Sequence, residues 1–471
     1  MESFRGRKNA LTVSQSIEVL QSASNQKSHY LGGHQMTIRS LLLGASAGLA
    51  IIGAAQAADL PMTKGEAVEY VKVCTAFGPG FFYIPGTDTC LKIGGEIRAD
   101  YRAFAGNGFS RNDDRSAFNT QARIWFDART ETDWGLLRSY FQINADSHPI
   151  SNQGRGGIYN DNRFTIDKAF IQFGGLTAGY AHSFFGFYDN EYGDTIWAPY
   201  YAEQNTVNLI AYTAQFGGGF SATLSIEDGR DHRVGGTSTP VDINGTLYGY
   251  REGGQQVPDV VAQLRWDQSW GSIAVQAAGH QSRSGTDYTI TTPGANPGDP
   301  PVVTPVNVRR SNKYGYAVGA TGLIKIPAID NGHFIVEGQY ADGALDYLGA
   351  GATWIANSDS FVNSRGRIDR GKGWSITAEL GGNITPVLGA NLVGSYIDTQ
   401  YDRYLGNGQY GLKEYTIVGN LTYTIVKGLT VAGEVAWTHG KLDNGVIDDG
   451  ELSGRSKYNV LQGGVRLKRT F

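Results

Sequence analysis

The chain has 471 residues, with 65 Gly, 26 Tyr and 20 Phe against only 3 Met and 14 Pro, a composition typical of many twisted strands joined by turns. A mean hydropathy of −0.28 excludes a bundle of membrane helices, each of which needs about 20 consecutive apolar residues. The formal charge of −4 argues against a nucleic-acid partner, which requires a clustered basic surface.

The first apolar run, MTIRSLLLGASAGLAIIGAAQA at 36–57, has the features of a secretory signal peptide. Arg39 lies at its basic start, a short apolar stretch follows, and Ala55-Gln56-Ala57 matches a cleavage motif. A transmembrane anchor fits less well, because the run is short and rich in small residues. We expect cleavage after Ala57, translation from Met36, and an upstream, non-native start segment at 1–35 that carries no fold. Removing 1–57 takes away five basic and two acidic residues, which leaves a net charge of about −7.

The N-terminal segment of the mature chain, 58–90, contains both cysteines of the protein, Cys74 and Cys90. In an exported chain a lone pair of cysteines is most simply a structural disulfide. A metal site would need histidines at ligand spacing, and a redox pair would need the closer C-x-x-C spacing. We therefore expect a disulfide between Cys74 and Cys90.

From residue 91 onward, apolar and polar side chains alternate along one segment after another, which predicts β-strands with two different faces. The first three such segments place four arginines on a densely charged face, opposite rows of aliphatic and aromatic residues: Arg98, Arg102, Arg123 and Arg138. The alternation weakens at 163–173 and 390–400, where either face could be the apolar one.

The connections between these segments alternate between two kinds. Seven short turns are predicted near 131–135, 173–176, 216–219, 267–271, 326–332, 385–389 and 426–428. Eight longer polar loops are predicted near 106–117, 147–162, 183–205, 230–257, 284–312, 343–371, 402–412 and 441–455. Fifteen connections in alternation imply about sixteen antiparallel strands, with the turns at one end and the loops at the other.

The strands have the length and patterning that a lipid bilayer requires. A strand of about 12 residues, rising about 3.3 Å per residue and tilted about 45°, crosses roughly 28 Å. Lipid cannot satisfy a free sheet edge, so the sheet must close. A soluble sandwich also alternates, but it would turn its apolar faces into a core. We predict an all-β fold, a 16-stranded antiparallel transmembrane β-barrel over 91–471.

Aromatic residues near strand ends fit the interfacial girdles of such a barrel, and they include Trp125, Trp134, Trp266, Trp270, Trp374, Trp437, Tyr314, Tyr415 and Tyr423. The last strand, YNVLQGGVRLKRTF, ends on Phe471, which should face lipid beside Val465 and Leu467, while Arg466 and Lys468 face the lumen. A terminal strand of this form resembles the assembly signal of bacterial outer-membrane proteins.

Several stretches resemble the alphaproteobacterial porins of the Rhizobiales and Brucella type. They are EYVKVCTAFGPGFFYIPGTDTCLKIGGEIRADY (69–101), DKAFIQFGGLTAGYAHSFFGFYD (167–189) and GGVRLKRTF (463–471). The resemblance covers essentially the whole mature chain, and the family has a paired-cysteine motif matching Cys74 and Cys90. It implies a general-diffusion porin in the bacterial outer membrane: a homotrimer of 16-stranded barrels whose third long loop, here 182–204, folds inward and narrows the channel. Its surroundings would be membrane lipid, lipopolysaccharide and the outer-membrane assembly machinery. Loops 284–312 and 343–371 have no counterpart in this resemblance.

The predicted constriction carries opposed charges. Four carboxylates lie in the third loop, Asp189, Glu191, Asp194 and Glu203, and the four arginines named above can face them across the lumen. Two unit charges about 8 Å apart in water interact by only about 0.5 kcal/mol, so such a pore selects weakly. We expect passive diffusion of small hydrophilic solutes with a modest cation preference and no cofactor. The loop aromatics either pack the loop against the wall or form a stacking track for sugars.

Two functions of other classes are weaker alternatives. No histidine lies in a G-x-S-x-G or H-E-x-x-H setting, so an enzyme is not expected. A non-conducting adhesin or receptor that uses the long loops stays open. The acidic stretch LDNGVIDDGE (442–451) lacks the spacing of an EF-hand, and no metal site is predicted.

Overall fold

The computed structural model describes residues 72–109, 113–147, 162–235, 241–294, 299–355, 357–363, 365–401, 410–443 and 455–471. The predicted segments 1–35 and 36–57, and the acidic loop tip at 444–451, lie outside these residues. No helix within the described part of the chain is long and apolar enough to cross a membrane.

Sixteen long strands, numbered here β1 to β16, form one antiparallel sheet. In chain order they are Cys90–Ala105, Ser116–Thr132, Gly135–Ser147, Asn162–Phe173, Leu176–His182, Thr206–Gly217, Phe220–Glu227, Asp259–Gln268, Gly271–Arg283, Asn312–Lys325, Asp330–Asp342, Lys372–Thr385, Leu388–Tyr401, Tyr410–Val426, Leu429–Asp443 and Lys457–Thr470. Each strand pairs with the next in sequence, so the sheet is an up-and-down meander.

The sheet closes because β1 pairs with β16. The register runs from Glu96 opposite Thr470 to Ala105 opposite Leu461. Phe471 extends this seam: its N–H donates to the Gly95 carbonyl at 2.9 Å, and its carbonyl accepts the Gly95 N–H at 3.0 Å. The predicted 16-stranded closed barrel is confirmed, with seven short turns at one end and eight longer connections at the other.

The eight longer connections are named L1 to L8. They are 106–115, 148–161, 183–205, 228–258, 284–311, 343–371, 402–409 and 444–456. L2 and L7 lie outside the described residues. Short elements lie in the N-terminal segment and in four of the other loops. They are strand Phe82–Tyr83 before β1; helix α1 at Tyr188–Glu191 in L3; hairpin Val241–Ile243 with Thr246–Tyr248 in L4; hairpin Tyr288–Thr292 with Val302–Val306 in L5; and, in L6, 3-10 turns Leu345–Leu348 and Ala350–Ala352 and hairpin Ser360–Val362 with Ile368–Arg370.

The outer face of the barrel carries rows of exposed apolar side chains. On β1 and β16 these include Ile97, Val465 and Leu467, which are about half exposed, and Phe471, which is 66% exposed. Glu96 and Arg102 on the opposite face of β1 are less than 10% exposed. Apolar rows that face outward around a closed sheet are the arrangement a bilayer stabilises.

A β-bulge explains why the alternation weakens at 163–173. Gln142 pairs with Lys168 and the next residue, Ile143, pairs with Ile166, which leaves Asp167 as an extra residue. Exposed residues are therefore even-numbered before the bulge, at Phe164 and Ile166, and odd-numbered after it, at Ile171 and Phe173. The extra residue shifts the period-two pattern by one position.

At 390–400, the second segment in which the alternation weakens, apolar residues lie on both faces for a different reason. In β13, Leu392 is exposed to the outside, whereas Val393 and Ile397 are fully buried on the inner face. Val393 packs with Ala198 of L3, and Ile397 belongs to a cluster that includes Tyr201 of L3. The inner wall here is apolar because a loop covers it.

Trp125 differs from the other predicted girdle aromatics. It pairs with Gly94 of β1 and shares the inner face with Arg123 and Asp127. A Cβ on Gly94 would lie 2.4 Å from the Trp125 ring, so the indole covers this glycine inside the barrel. Trp134, Trp270, Trp374 and Trp437 are outside, with exposed fractions between 39% and 81%.

The predicted disulfide is confirmed: Cys74 and Cys90 are bonded, with a Cα–Cα distance of 5.9 Å. Both cysteines are buried with Phe81, and strand Phe82–Tyr83 pairs with the start of β1. The disulfide holds the N-terminal segment against the first barrel strand.

L6 also folds into the barrel, which the sequence did not predict. Leu345, Tyr347 and Leu348 are fully buried, and Ser375 of β12 donates to the Leu348 carbonyl at 2.9 Å. Gly349, with φ of +71°, lies so close to L3 that a Cβ would be 2.6 Å from the Ala202 carbonyl oxygen. L6 therefore covers L3 inside the barrel.

Candidate pore constriction

L3 lies against the inner wall and is held there through its backbone. Phe184 N–H donates to Glu227 at 3.1 Å, and Tyr188 N–H donates to Glu337 at 3.3 Å. Further along, Gly193 and Asp194 donate to Glu379 at 3.3 and 3.2 Å. An irregular loop has backbone groups without strand partners, and carboxylates on the wall satisfy them.

Glu434 of β15 makes the densest of these contacts. Its Oε1 accepts the N–H groups of Trp197 and Ala198, both at 2.9 Å, and its Oε2 accepts that of Ile196. The carboxylate is 3% exposed. Three successive N–H groups directed at one carboxylate hold the C-terminal half of L3 to the wall.

Most of the L3 aromatics pack against the barrel. Phe185, Phe187, Tyr188, Trp197, Tyr200 and Tyr201 are all less than 10% exposed. Phe187, Tyr188 and Tyr200 contact Leu323 and Ile335 of the wall, and Tyr201 donates its hydroxyl to Glu414. Of the two interpretations considered for these rings, the packing interpretation agrees with their burial.

Gly186 marks the closest approach of L3 to the wall. Its φ is +83°, a conformation that favours glycine, and a Cβ would lie 2.4 Å from Glu337 Oε2. Gln263 of β8 also donates to the Gly186 carbonyl at 2.8 Å. A side chain at residue 186 would push L3 away from β11.

Asp189 is half-buried and lies within a hydrogen-bonded group. It accepts the Tyr200 hydroxyl hydrogen, and His182 Nδ1 lies 3.3 Å from its Oδ2. Burial raises the pKa of Asp189 to about 6, although the Tyr200 hydrogen bond and the charge of Lys168 oppose this rise.

The other three predicted carboxylates of L3 have different surroundings. Glu191 is exposed and pairs with Arg265 of β8, and Asp194 is exposed at the lumen. Burial is the main cause, and the negative charge of Glu379 the second, of a rise in the pKa of Asp194 to about 6. Glu203 is 4% exposed and lies 3.9 Å from His232 Nδ1, so it is not on the channel surface.

The four predicted arginines lie on the inner face, where wall carboxylates and amides contact them. Arg98 pairs with Glu96, whose carboxylate is also 3.6 Å from Arg123. Arg138 donates to both oxygens of Asp127 at 2.9 and 3.0 Å. Arg102 is 3% exposed and donates to Gln462 at 3.0 Å.

Sequence reasoning missed the cations that interact with the L3 carboxylates. Arg265 pairs with Glu191, and Lys168 acts on Asp189. Arg265 lies at an inward-facing position of the alternation in a predicted strand, so a search of all lumen-facing cations would have found it. Lys168 lies next to the bulge at Asp167, where the alternation shifts by one residue and no longer shows which side chains face inward. The wall glutamates were missed because a lumen-facing acid has the same pattern whether it faces water or a loop.

A closed barrel with an apolar exterior, a charged inner wall and an inward loop defines a transmembrane channel of the outer-membrane type. The family model described as "Porin subfamily" matches residues 59–463. The chain therefore belongs to the porin subfamily, and the resemblance seen in the sequence is confirmed: it is an outer-membrane porin.

Curated relatives and a solved structure agree with this assignment. Porin Omp2b of Brucella neotomae is 37% identical over 448 residues, covering 93% of this chain and 100% of that protein. Porin Omp2b of Brucella suis biovar 1 is 37% identical over 249 residues, covering 51% of this chain and 65% of that protein. The outer membrane channel DcaP of Acinetobacter baumannii matches with a TM-score of 0.58 and 15% identity, covering 83% of this chain and 99% of that one, which shows the fold alone.

Proposed function

We propose that this chain forms a water-filled channel for passive diffusion of small hydrophilic solutes and ions, with a weak preference for cations. The observation that carries the proposal is the position of L3, which is held inside the barrel with Glu191 and Asp194 exposed. Opposite signs on the loop and on the wall strands create a transverse field at the narrow part of the lumen.

The field is expected to bias permeation without selecting one solute. Arg98, Arg123 and Arg138 are each close to a wall carboxylate, which reduces the net positive charge of that wall. Exposed charges in water interact by only about 1 kcal/mol or less at 4 Å. Because the mature chain is acidic, the remaining bias favours cations. The buried L3 rings offer little stacking surface, so a general channel is preferred over a sugar-preferring one.

Single-channel recording in planar bilayers tests the channel itself. We expect discrete open-channel steps, and reversal potentials in a KCl gradient that give a potassium-to-chloride permeability ratio modestly above one. A ratio below one would contradict the cation preference alone. Absence of open steps from correctly folded protein would contradict the channel and favour a surface receptor or adhesin.

Export and assembly state belong to the same proposal. We propose a homotrimer, which chemical cross-linking of the purified protein tests by a ladder that ends at three chains. We also propose cleavage of the 36–57 segment after Ala57, and N-terminal sequencing should then begin at Ala58. A start before Ala58 would contradict the cleavage site without affecting the channel.

A further inference from the structure

A histidine and two carboxylates from three separate elements converge where L3 meets the wall. Asp194 belongs to L3, His333 to the start of β11, and Glu379 to β12. One potential ligand atom from each lies within 4.8 Å of the other two. His333 and Glu379 are buried, while Asp194 is exposed to the lumen, so the group is open on one side only.

The two oxygens of Glu379 have different partners. Its Oε2 accepts the Tyr188 hydroxyl at 2.7 Å and the backbone N–H groups of Gly193 and Asp194. Its Oε1 is directed at His333, 3.1 Å from Nε2. One oxygen therefore anchors the side chain, and the other faces the imidazole.

The imidazole of His333 is also held in place. Its Nδ1 is 3.0 Å from the Asn331 carbonyl oxygen, and its ring packs against Tyr192 at a centroid distance of 4.6 Å. The residue paired with it on β12 is Gly381. A Cβ there would lie 2.5 Å from the imidazole Cε1, so the glycine provides the space for the ring.

Each ring nitrogen of His333 faces an oxygen that accepts hydrogen bonds: Nδ1 faces the Asn331 carbonyl, and Nε2 faces Glu379 Oε1, with the Asp194 carboxylate nearby. A metal-binding histidine commonly donates one ring N–H to a backbone carbonyl and binds the ion through its other nitrogen. The contact between Nδ1 and the Asn331 carbonyl matches that arrangement and leaves Nε2 directed at the two carboxylates.

We propose that His333 Nε2, Glu379 and Asp194 bind a divalent first-row transition metal ion of the zinc class. One imidazole and two carboxylates suit such an ion, whereas magnesium prefers an all-oxygen set. The open side toward the lumen leaves room for water as a further ligand. Because Asp194 lies on L3 and the other two ligands on the wall, the bound ion joins the loop to the barrel.

The test measures metal binding by the purified, detergent-solubilised protein, so its outcome does not depend on conduction. Isothermal titration with ZnCl₂ in chelator-free buffer is expected to give one ion per chain, with no matching signal from MgCl₂. His333→Gln and Asp194→Asn should each weaken binding at least tenfold. His439→Gln is the matched control, because His439 lies on β15 beside Asn459, away from this group.

Two further measurements keep the result interpretable if a variant misfolds. Gly381→Ala retains all three ligands and should weaken zinc binding by displacing the imidazole. X-ray absorption at the zinc edge of the wild-type protein should show a mixed shell of oxygen and nitrogen with imidazole scattering. Absence of stoichiometric binding, a shell without imidazole, or zinc binding by His333→Gln and Asp194→Asn as tight as that of the wild-type protein would overturn the proposal.

Discussion

Individual carboxylates on L3 make the proposed selectivity depend on pH. Burial raises the pKa of both Asp189 and Asp194 to about 6. Both are therefore ionised at pH 7.5 and about nine-tenths protonated at pH 5. Since protonation removes negative charge, the direction of the effect is a loss of cation preference as the pH falls through 6.

We expect the potassium-to-chloride permeability ratio to decrease between pH 7.5 and pH 5, measured by reversal potentials in the presence of EDTA to remove metal. The double variant Asp189→Asn with Asp194→Asn should show the low ratio at both pH values. A wild-type ratio that stays constant over this range would assign the selectivity to other charges.

A single wall carboxylate should control the order of L3. Glu434→Gln replaces one oxygen with an NH₂ group, which would face the N–H donors of Ile196, Trp197 or Ala198. The loss of at least one charge-assisted hydrogen bond should reduce the free energy of unfolding by about 1–3 kcal/mol. Current recordings should show a noisier open state, because the loop is less firmly held.

Glu131→Gln is the matched control for this variant, since Glu131 is exposed at the end of β2. It should leave both the unfolding midpoint and the current noise unchanged. If Glu434→Gln behaves like Glu131→Gln, the backbone contacts to Glu434 do not hold L3.

At the scale of elements, a disulfide links the N-terminal segment to the first barrel strand. The Cys74–Cys90 bond closes a short loop with a sequence separation of 16. Apart from this bond, the described part of the segment, from residue 72 on, pairs with β1 through two residue pairs, Phe82 with Leu91 and Tyr83 with Cys90. Closing a loop of this size contributes about 3 kcal/mol in the chain-entropy description.

We expect that Cys74→Ser with Cys90→Ser releases this segment while the barrel stays folded. Amide exchange at 72–84 should become about 100-fold faster, as a change of about 3 kcal/mol in local opening predicts. Hydrogen exchange with mass spectrometry measures both regions in one experiment, and reduced wild-type protein should behave like the variant. Unchanged exchange at 72–84 would show that packing alone holds the segment.

At the scale of the whole molecule, closure depends on the seam between β1 and β16. Phe471 adds two backbone hydrogen bonds to that seam through Gly95. Its ring also covers Gly95, where a Cβ would lie 2.4 Å from Cζ of the Phe471 ring. A closed sheet leaves no edge in the lipid, so every pair in the seam contributes to insertion.

Deletion of Phe471 should lower the yield of folded barrel in the outer membrane several-fold, whereas Phe471→Tyr should retain most of it. Heat-modifiability on gels measures the folded fraction. Refolding the deletion variant from urea into detergent separates two causes: normal refolding with poor yield in cells indicates a recognition signal, and poor refolding indicates a weakened seam. Normal yield in cells would contradict both roles.

The sequence alone determined the strand number, the alternation of short turns with long loops, and the lipid-facing residues of most strands, although it left 163–173 and 390–400 open and placed Trp125 on the wrong face. These properties follow from a period of two and from turn spacing, which are local and repeat sixteen times, so one bulge at Asp167 shifts only one strand. The disulfide was also predictable, because two cysteines in an exported chain allow one pairing.

Only the tertiary structure decided what each lumen-facing side chain does. Glu434 holds a loop and Arg265 pairs with Glu191, yet both follow the same inward pattern of a strand in the sequence. Glu203, a residue of L3, is buried beside a histidine, and nothing in the loop sequence distinguishes it from Glu191. Asp194, His333 and Glu379 are far apart in the chain, and no local spacing marks them as a group. Which loop covers which part of the wall is a contact between distant segments, and alternation along one strand carries no information about it.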